Sequence, residues 1–242
     1  MPPTPSARDA YLAGLRDALP FVIVVIPFGM LFGVVGSEAG LNLAQVMGFS
    51  VVVIAGASQF AALQLMTENA PAFIVIASAL AVNLRMAMYS AALAPHLGPA
   101  PLWQRALIAY MNVDQTYALA VQRYEAAPAA SVPAKVAFFF GTATPVVPLW
   151  VAATLLGALV GAAVPADWGL DFVVPVTFLA LVAPALRTLA HLGAALASVT
   201  VMLLAAGLPW NLGLLVAGVS GMAVGAEIER RMTLRAARQA GT

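Results

Sequence analysis

The chain reads as long apolar runs separated by short polar breaks. Eight stretches approach the length of about 20 mostly apolar residues that a helix needs to cross a bilayer. They are 18–36, 46–66, 72–93, 102–121, 136–161, 170–185, 189–207 and 210–226. The sixth and eighth are short, and a count of seven with one stretch re-entrant is the alternative. Barrel-type alternation is absent, so the spans are expected to be helices. The expected fold class is an all-α polytopic transmembrane bundle of about eight spans, several broken or kinked. The expected organisation is a cytoplasmic N-terminal segment over 1–17, one transmembrane transporter domain over 18–226 and a basic cytoplasmic tail over 227–242. The first run exceeds the roughly 7–15-residue core of a secretory signal and ends without a clear small-x-small cleavage site, so it is read as a retained span.

Composition agrees. Of 242 residues, 62% are hydrophobic and 9% charged, and the mean hydropathy is +0.95. A soluble domain carries about 25% charged residues, so there is too little polar surface here for a water-exposed globule. A net charge of +1 leaves no nucleic-acid footprint. With no cysteine and only His96 and His191, no metal site, thiol chemistry or disulfide is expected. No cofactor motif is present. His191, at the start of the seventh run, reads as a helix-end residue.

Lys and Arg set the orientation. With eight crossings and the N-terminus inside, Arg8, Arg16, Arg123, Lys135, Arg187, Arg230, Arg231, Arg235 and Arg238 lie inside. Only Arg105 lies outside, and Arg85 is within the membrane. Both termini are expected in the cytoplasm. The tail is expected to act as a topology anchor or to touch anionic lipid headgroups.

Prolines at 27, 145, 148 and 175 fall inside spans, where proline kinks or breaks a helix. Thr142 and Thr144 flank Pro145 and are expected to satisfy the backbone it frees. Gly29 and Gly33, Gly157 and Gly161, and Gly221 and Gly225 form small-xxx-small pairs that let backbones approach. A weak repeat links the first span, followed by Gly40-Leu41-Asn42, to the fifth, followed by Gly169-Leu170-Asp171.

Three polar clusters fall inside apolar runs. Gly56-Ala57-Ser58-Gln59 lies in the second. If the helix unwinds at Gly56, free N–H groups beyond the break would face an anion; otherwise Ser58 and Gln59 hydrogen-bond another helix. Asn83 and Arg85 lie in the third. Two residues apart, they do not share a helix face. Arg85 suits two-pronged carboxylate binding, or a structural ion pair. Asn112, Asp114, Gln115 and Thr116 lie in the fourth, with Tyr110, Asp114 and Tyr117 at one-face spacing. Asp114 is suited to a solute ammonium or a coupling proton. The alternative is a static pair with Arg85, about 8 Å away in depth at 1.5 Å per residue.

The run Pro27-Phe28-Gly29, then Gly56-Ala57-Ser58-Gln59-Phe60, Asn83-Leu84-Arg85 and Asp114 resembles the AzlC family, the large subunits of bacterial branched-chain amino-acid exporters. The stretch from Gly169 to Pro175 and on to Phe178-Leu179-Ala180-Leu181 is similar too. The resemblance covers about 18–226. It implies export of valine, leucine, isoleucine and sometimes methionine across the bacterial inner membrane, driven by the proton gradient, with a small hydrophobic AzlD-type partner. Gly56, Ser58, Gln59, Asn83 and Arg85 are the expected substrate-binding residues, and Asp114 the proton-coupling or ammonium-binding one. Met86 departs from the more polar or aromatic residue that family members often carry. The other readings are a transporter of another small zwitterion and a structural subunit of a membrane complex. An intramembrane enzyme lacks a base for Ser58.

Overall fold

A computed structural model describes residues 6–161, 186, 188–208 and 212–240, and every regular element among them is a helix. The stretch 170–185, with Pro175, Asp171 and the 169–171 half of the expected repeat, lies outside the described residues, as do Asp167 and Arg187. Four described stretches are long and apolar enough to cross a membrane: Ala7–Glu38, Ala72–Leu97, Val132–Gly161 and Leu212–Arg235. The chain divides into two compact units. The first holds residues up to Gln64 and those from Ala79 to Gly161. The second holds Leu65–Ser78 and the helices beyond residue 186.

In the first unit, α1 (Ala7–Ala18) runs through a short 3-10 turn at Leu19–Phe21 into α2 (Val22–Glu38). Residues 7–17, expected as a segment preceding the first span, are thus part of that helical stretch. Both helices pack lengthwise on α8 (Val132–Gly161). Side chains cannot fit at the contact. A Cβ on Gly14 would collide with the Phe138 carbonyl, on Gly141 with that of Tyr11, on Gly33 with that of Thr154 and on Gly157 with that of Met30. Residue numbers rise together on the two sides, so α1 and α2 run parallel to α8. The small-xxx-small pairs of α2 and α8 therefore face each other, as close packing without a hydrophobic drive between helices requires.

Pro27, Pro145 and Pro148 all sit inside unbroken helices. The breaks fall elsewhere, in the second and fourth apolar runs. The second is α3 (Leu43–Val52) and α4 (Gly56–Thr67); the fourth is α6 (Leu102–Tyr110) and α7 (Asp114–Ala126). Thr142 and Thr144 donate to the Phe139 and Phe140 carbonyls, at 2.7 and 2.8 Å. These are not the Gly141 and Thr144 carbonyls that lose a partner to Pro145 and Pro148.

Each broken run doubles back. Gly40, at φ +85°, ends α2, a conformation that glycine adopts without strain. An Asn42–Gln45 capping box then starts α3. Gly36 meets Val46 and Phe32 stacks on Phe49, so α3 returns along α2. Gly56 then abuts Phe28 and Trp150, while Phe60 lies between Phe28 and Phe32. So α4 reverses again. The second hairpin follows α5 (Ala72–Leu97). Asn112 of the tip bonds Ser90, so α6 runs back along α5. Asp114 then meets Arg85, Tyr117 stacks on Tyr89 and Tyr124 packs on His96, so α7 runs parallel to α5.

Each of these two runs is a pair of short helices that fold back on one another, where one continuous helix is expected. The two hairpins start at opposite ends of the unit: α3–α4 at the Glu38 end of α2, α6–α7 at the Leu97 end of α5. Tyr110 of α6 donates to the Val51 carbonyl of α3, joining the two tips. The path of α2 followed by its hairpin is thus followed again by α5 and its hairpin. Gly98 lies 58 residues after Gly40, and Asp114 58 after Gly56.

In the second unit, α9 (Leu189–Leu204) is capped by Thr188 and packs antiparallel on α10 (Leu212–Ala240), where Ser198 donates to the Ala217 carbonyl at 3.1 Å. The expected tail continues as helix through residue 240. Glu227 there grips Arg230 and Arg231, at 2.8 and 2.6 Å.

Candidate functional site

The two hairpin tips are built alike. In the first, the Ala55 N–H turns back to the Val53 carbonyl, at 2.7 Å, and α4 opens at Gly56. In the second, the Val113 N–H turns back to the Met111 carbonyl, at 3.0 Å, and α7 opens at Asp114. Thr116 ties the second tip down: its hydroxyl accepts from the Val113 N–H at 2.9 Å and lies within bonding distance of the Met111 and Val113 carbonyls. Two helix N-termini, each with first-turn N–H groups that lack an intrahelical acceptor, thus lie at the inner ends of the two hairpins.

The two ends are compensated differently. Asp114, as the first residue of α7, places a carboxylate on that helix's positive end. Arg85 Nη1 lies 3.1 Å from its Oδ2, and Tyr89 donates to its Oδ1 at 2.9 Å. The 8 Å offset in depth is removed because α7 turns back beside α5. The pair is not sealed in dry packing: the Arg85 side chain is 34% exposed and the Asp114 side chain 44%. The start of α4 has no such carboxylate. Its first residue, Gly56, lies against Phe28 and Trp150, and a Cβ there would come within 2.6 Å of the Phe28 ring. With Phe60, these rings form an aromatic wall, with centroids 5.0 Å (Phe28–Phe60) and 5.7 Å (Phe28–Trp150) apart.

The break separates residues that a continuous helix would align. Tyr110 belongs to α6 and bonds Val51, so it does not share a helix face with Asp114 and Tyr117. Ser58 is buried and donates to the Ala79 carbonyl at 3.0 Å, which ties α4 to α5. Asn83 and Arg85 stand on unbroken α5, about 200° apart, as their spacing requires.

Buried polar atoms without a partner gather around these tips. Among the described residues they are both amide atoms of Gln59, Asn83 Oδ1, Arg85 Nε, Asn112 Oδ1 and Trp150 Nε1. Gln59 lies one turn into α4 and is fully buried. Asn112 is in the second tip, and Trp150 touches Gly56. Each such atom costs about 1–3 kcal/mol, so each calls for a partner, which a bound solute or water can supply. Gln59, Asn83 and Arg85 were singled out by their place in apolar runs. Trp150 was not, because tryptophan in an apolar run gives no polar signal. Nor was the role of Asn112, which depends on the break at 111–113.

Among the described residues no cluster of His, Asp and Glu suits a metal ion. The family model described as AzlC protein matches residues 20–164. An "Uncharacterized membrane protein" of Helicobacter pylori (strain ATCC 700392 / 26695) is 28% identical over 176 residues, 71% of this chain and 75% of the relative. One of the same description from Archaeoglobus fulgidus is 29% identical over 186 residues, 75% of this chain and 78% of the relative. "Inner membrane protein YgaZ" of Escherichia coli (strain K12) is 29% identical over 92 residues, 38% of each chain. No solved structure matches.

Proposed function

This chain belongs to the AzlC protein family, and on that premise we propose that it is a secondary transporter that exports valine, leucine, isoleucine and methionine across the bacterial inner membrane, coupled to protons and assisted by a small AzlD-type hydrophobic subunit. The observation that carries this reading is the Arg85–Asp114 pair at the meeting of two helix N-termini, ringed by unpaired buried polar atoms.

In this reading Arg85 holds the place of the solute ammonium while the site is unliganded. An α-amino acid carries both charges needed to replace it. Its ammonium takes Asp114. Its carboxylate takes Arg85, or the uncompensated N-terminus of α4 at Gly56. Gln59 and Asn83 supply further donors and acceptors, and the rings of Phe28, Phe60 and Trp150 suit an aliphatic side chain. Binding energy then goes into exchanging one ion pair for two, which a neutral or singly charged solute cannot do. A proton on Asp114 releases the ammonium, and this is the coupling step.

The hairpins also bear on orientation. The re-entrant path of α6–α7 brings Arg105 to the same face as Arg8, Arg16, Arg123 and Lys135. It removes the exception that single crossings leave. The first unit then keeps all its basic residues except Arg85 on one face, which the positive-inside rule assigns to the cytoplasm.

The test is efflux of labelled leucine from loaded vesicles carrying the chain with and without its small partner. Wild type is expected to export leucine faster when a proton gradient is imposed. Asp114→Asn is expected to be expressed and folded but to lose the gradient dependence. Equal gradient-driven efflux by that variant removes Asp114 from the mechanism.

A further inference from the structure

The described residues hold a second polar feature that the mechanism above does not use. Between α5 and α6 lies a cavity of about 220 Å³ lined by Ser90, Leu93, Leu97, Arg105, Ile108 and Asn112 among others. It runs along the hairpin, from the face of Gly98 and Arg105 to the tip at Asn112, two residues before Asp114. Its walls are mostly aliphatic. Its inner end is polar: Asn112, 2% exposed, donates from Nδ2 to Ser90 Oγ at 3.3 Å and leaves Oδ1 buried with no partner. At its other end Arg105 is among the lining residues.

We propose that this cavity is a receiving site for the aliphatic amino acid, filled before the solute reaches the Arg85–Asp114 pair; the proposal rests on the transport reading and gives the route into it. Size fits. An apolar cavity of roughly 150 Å³ admits benzene, so this one is on the scale of a whole valine or leucine. Chemistry fits as well. Leu93, Leu97 and Ile108 shield a branched side chain from water. An acceptor with no donor at the blind end calls for an N–H group, and an ammonium offers three. A cation at the mouth draws a carboxylate and repels cationic solutes. A lipid tail would satisfy the walls and leave Asn112 Oδ1 unpaired.

The chain contains no cysteine, so one introduced thiol reports on this place alone. Ala109 and Ala94 line the cavity. Ala109→Cys, with Ala94→Cys as a second variant should the first fold poorly, is treated in inside-out vesicles, which expose the Gly98 and Arg105 face, with a membrane-impermeant maleimide. Millimolar leucine is expected to slow labelling at least tenfold, and lysine to leave it unchanged. The same protection is expected with Asp114→Asn added, because filling this site does not need the inner pair. Protection lost in that background reduces the cavity to part of the inner site and overturns the proposal. No protection while leucine efflux persists overturns it and leaves the transport reading standing. No protection together with no amino-acid flux removes both. Labelling only by a lipid-soluble maleimide makes the cavity a lipid groove, which also overturns it.

Discussion

Asp114, the first residue of α7, accepts two groups of α5 at once: Arg85 Nη1 on one carboxylate oxygen at 3.1 Å and the Tyr89 hydroxyl on the other at 2.9 Å. Removing either ion strands the other beside the hairpin tip. Removing both strands neither. A double-mutant cycle of Arg85→Gln and Asp114→Asn is therefore expected to show each single variant less stable than the double, with a coupling of about 0.5–3 kcal/mol. Partial exposure keeps the coupling below that of a dry pair. Thermal melting in detergent measures it, and strict additivity denies that the two side chains interact.

The parallel packing of α2 on α8 makes a sharper claim. Gly33→Ala and Gly157→Ala each drive a Cβ into a backbone carbonyl that has nowhere to move. Each is expected to cost about 1–3 kcal/mol or more. Gly48→Ala, in α3, meets nothing within 4 Å. It is expected to gain up to about 1 kcal/mol from helix propensity. Fluorescence-detected gel filtration after heating separates the two outcomes, and equal loss at all three positions refutes the contact.

Arg85 and Asp114 were readable in the chain because charge inside an apolar run is costly whatever the fold. The glycine pairs were readable for a similar reason, since their spacing survives in any helix. The hairpins were not. A run of about 20 apolar residues looks the same whether it crosses the membrane or turns back halfway, and the turns at 53–55 and 111–113 contain no proline or glycine. Prolines misled instead. Pro27, Pro145 and Pro148 sit in helices that run on uninterrupted, with neighbours packed along their length. The proline and glycine shared by the first and fifth apolar runs suggest a repeat, whose 169–171 half lies outside the described residues. Gly29, Gly33, Gly157 and Gly161 all serve the α2–α8 contact.

Gln59 offers a test of site against scaffold. Both its amide atoms are buried and unpaired. Gln59→Met keeps the volume and removes the unpaired groups, so it is expected to stabilise the protein by about 1–3 kcal/mol. If the amide serves the solute, the same variant loses leucine efflux. Greater stability with weaker transport is the pattern of a functional site that costs its fold something. Lower stability in detergent contradicts the burial of an unpaired amide.

The opposed hairpins predict a topology that single crossings cannot reproduce. Pro99 lies in the α5–α6 loop and Ala129 in the α7–α8 loop, on the face where α8 begins. Ala39 lies at the other end of α2. In an eight-span chain, positions 99 and 129 would fall on opposite sides of the membrane, because one crossing separates them. With α6–α7 re-entrant they fall on the same side, and 39 on the other. Since the chain has no native thiol, Ala39→Cys, Pro99→Cys and Ala129→Cys are each expected to report cleanly to an impermeant maleimide. In intact cells position 39 is expected to label, and 99 and 129 only after the membrane is opened. Labelling of 99 together with 39 in intact cells restores the single crossing. It would also reverse α7 against α5 and so break the paired contacts Tyr89–Tyr117 and His96–Tyr124 that run in parallel register.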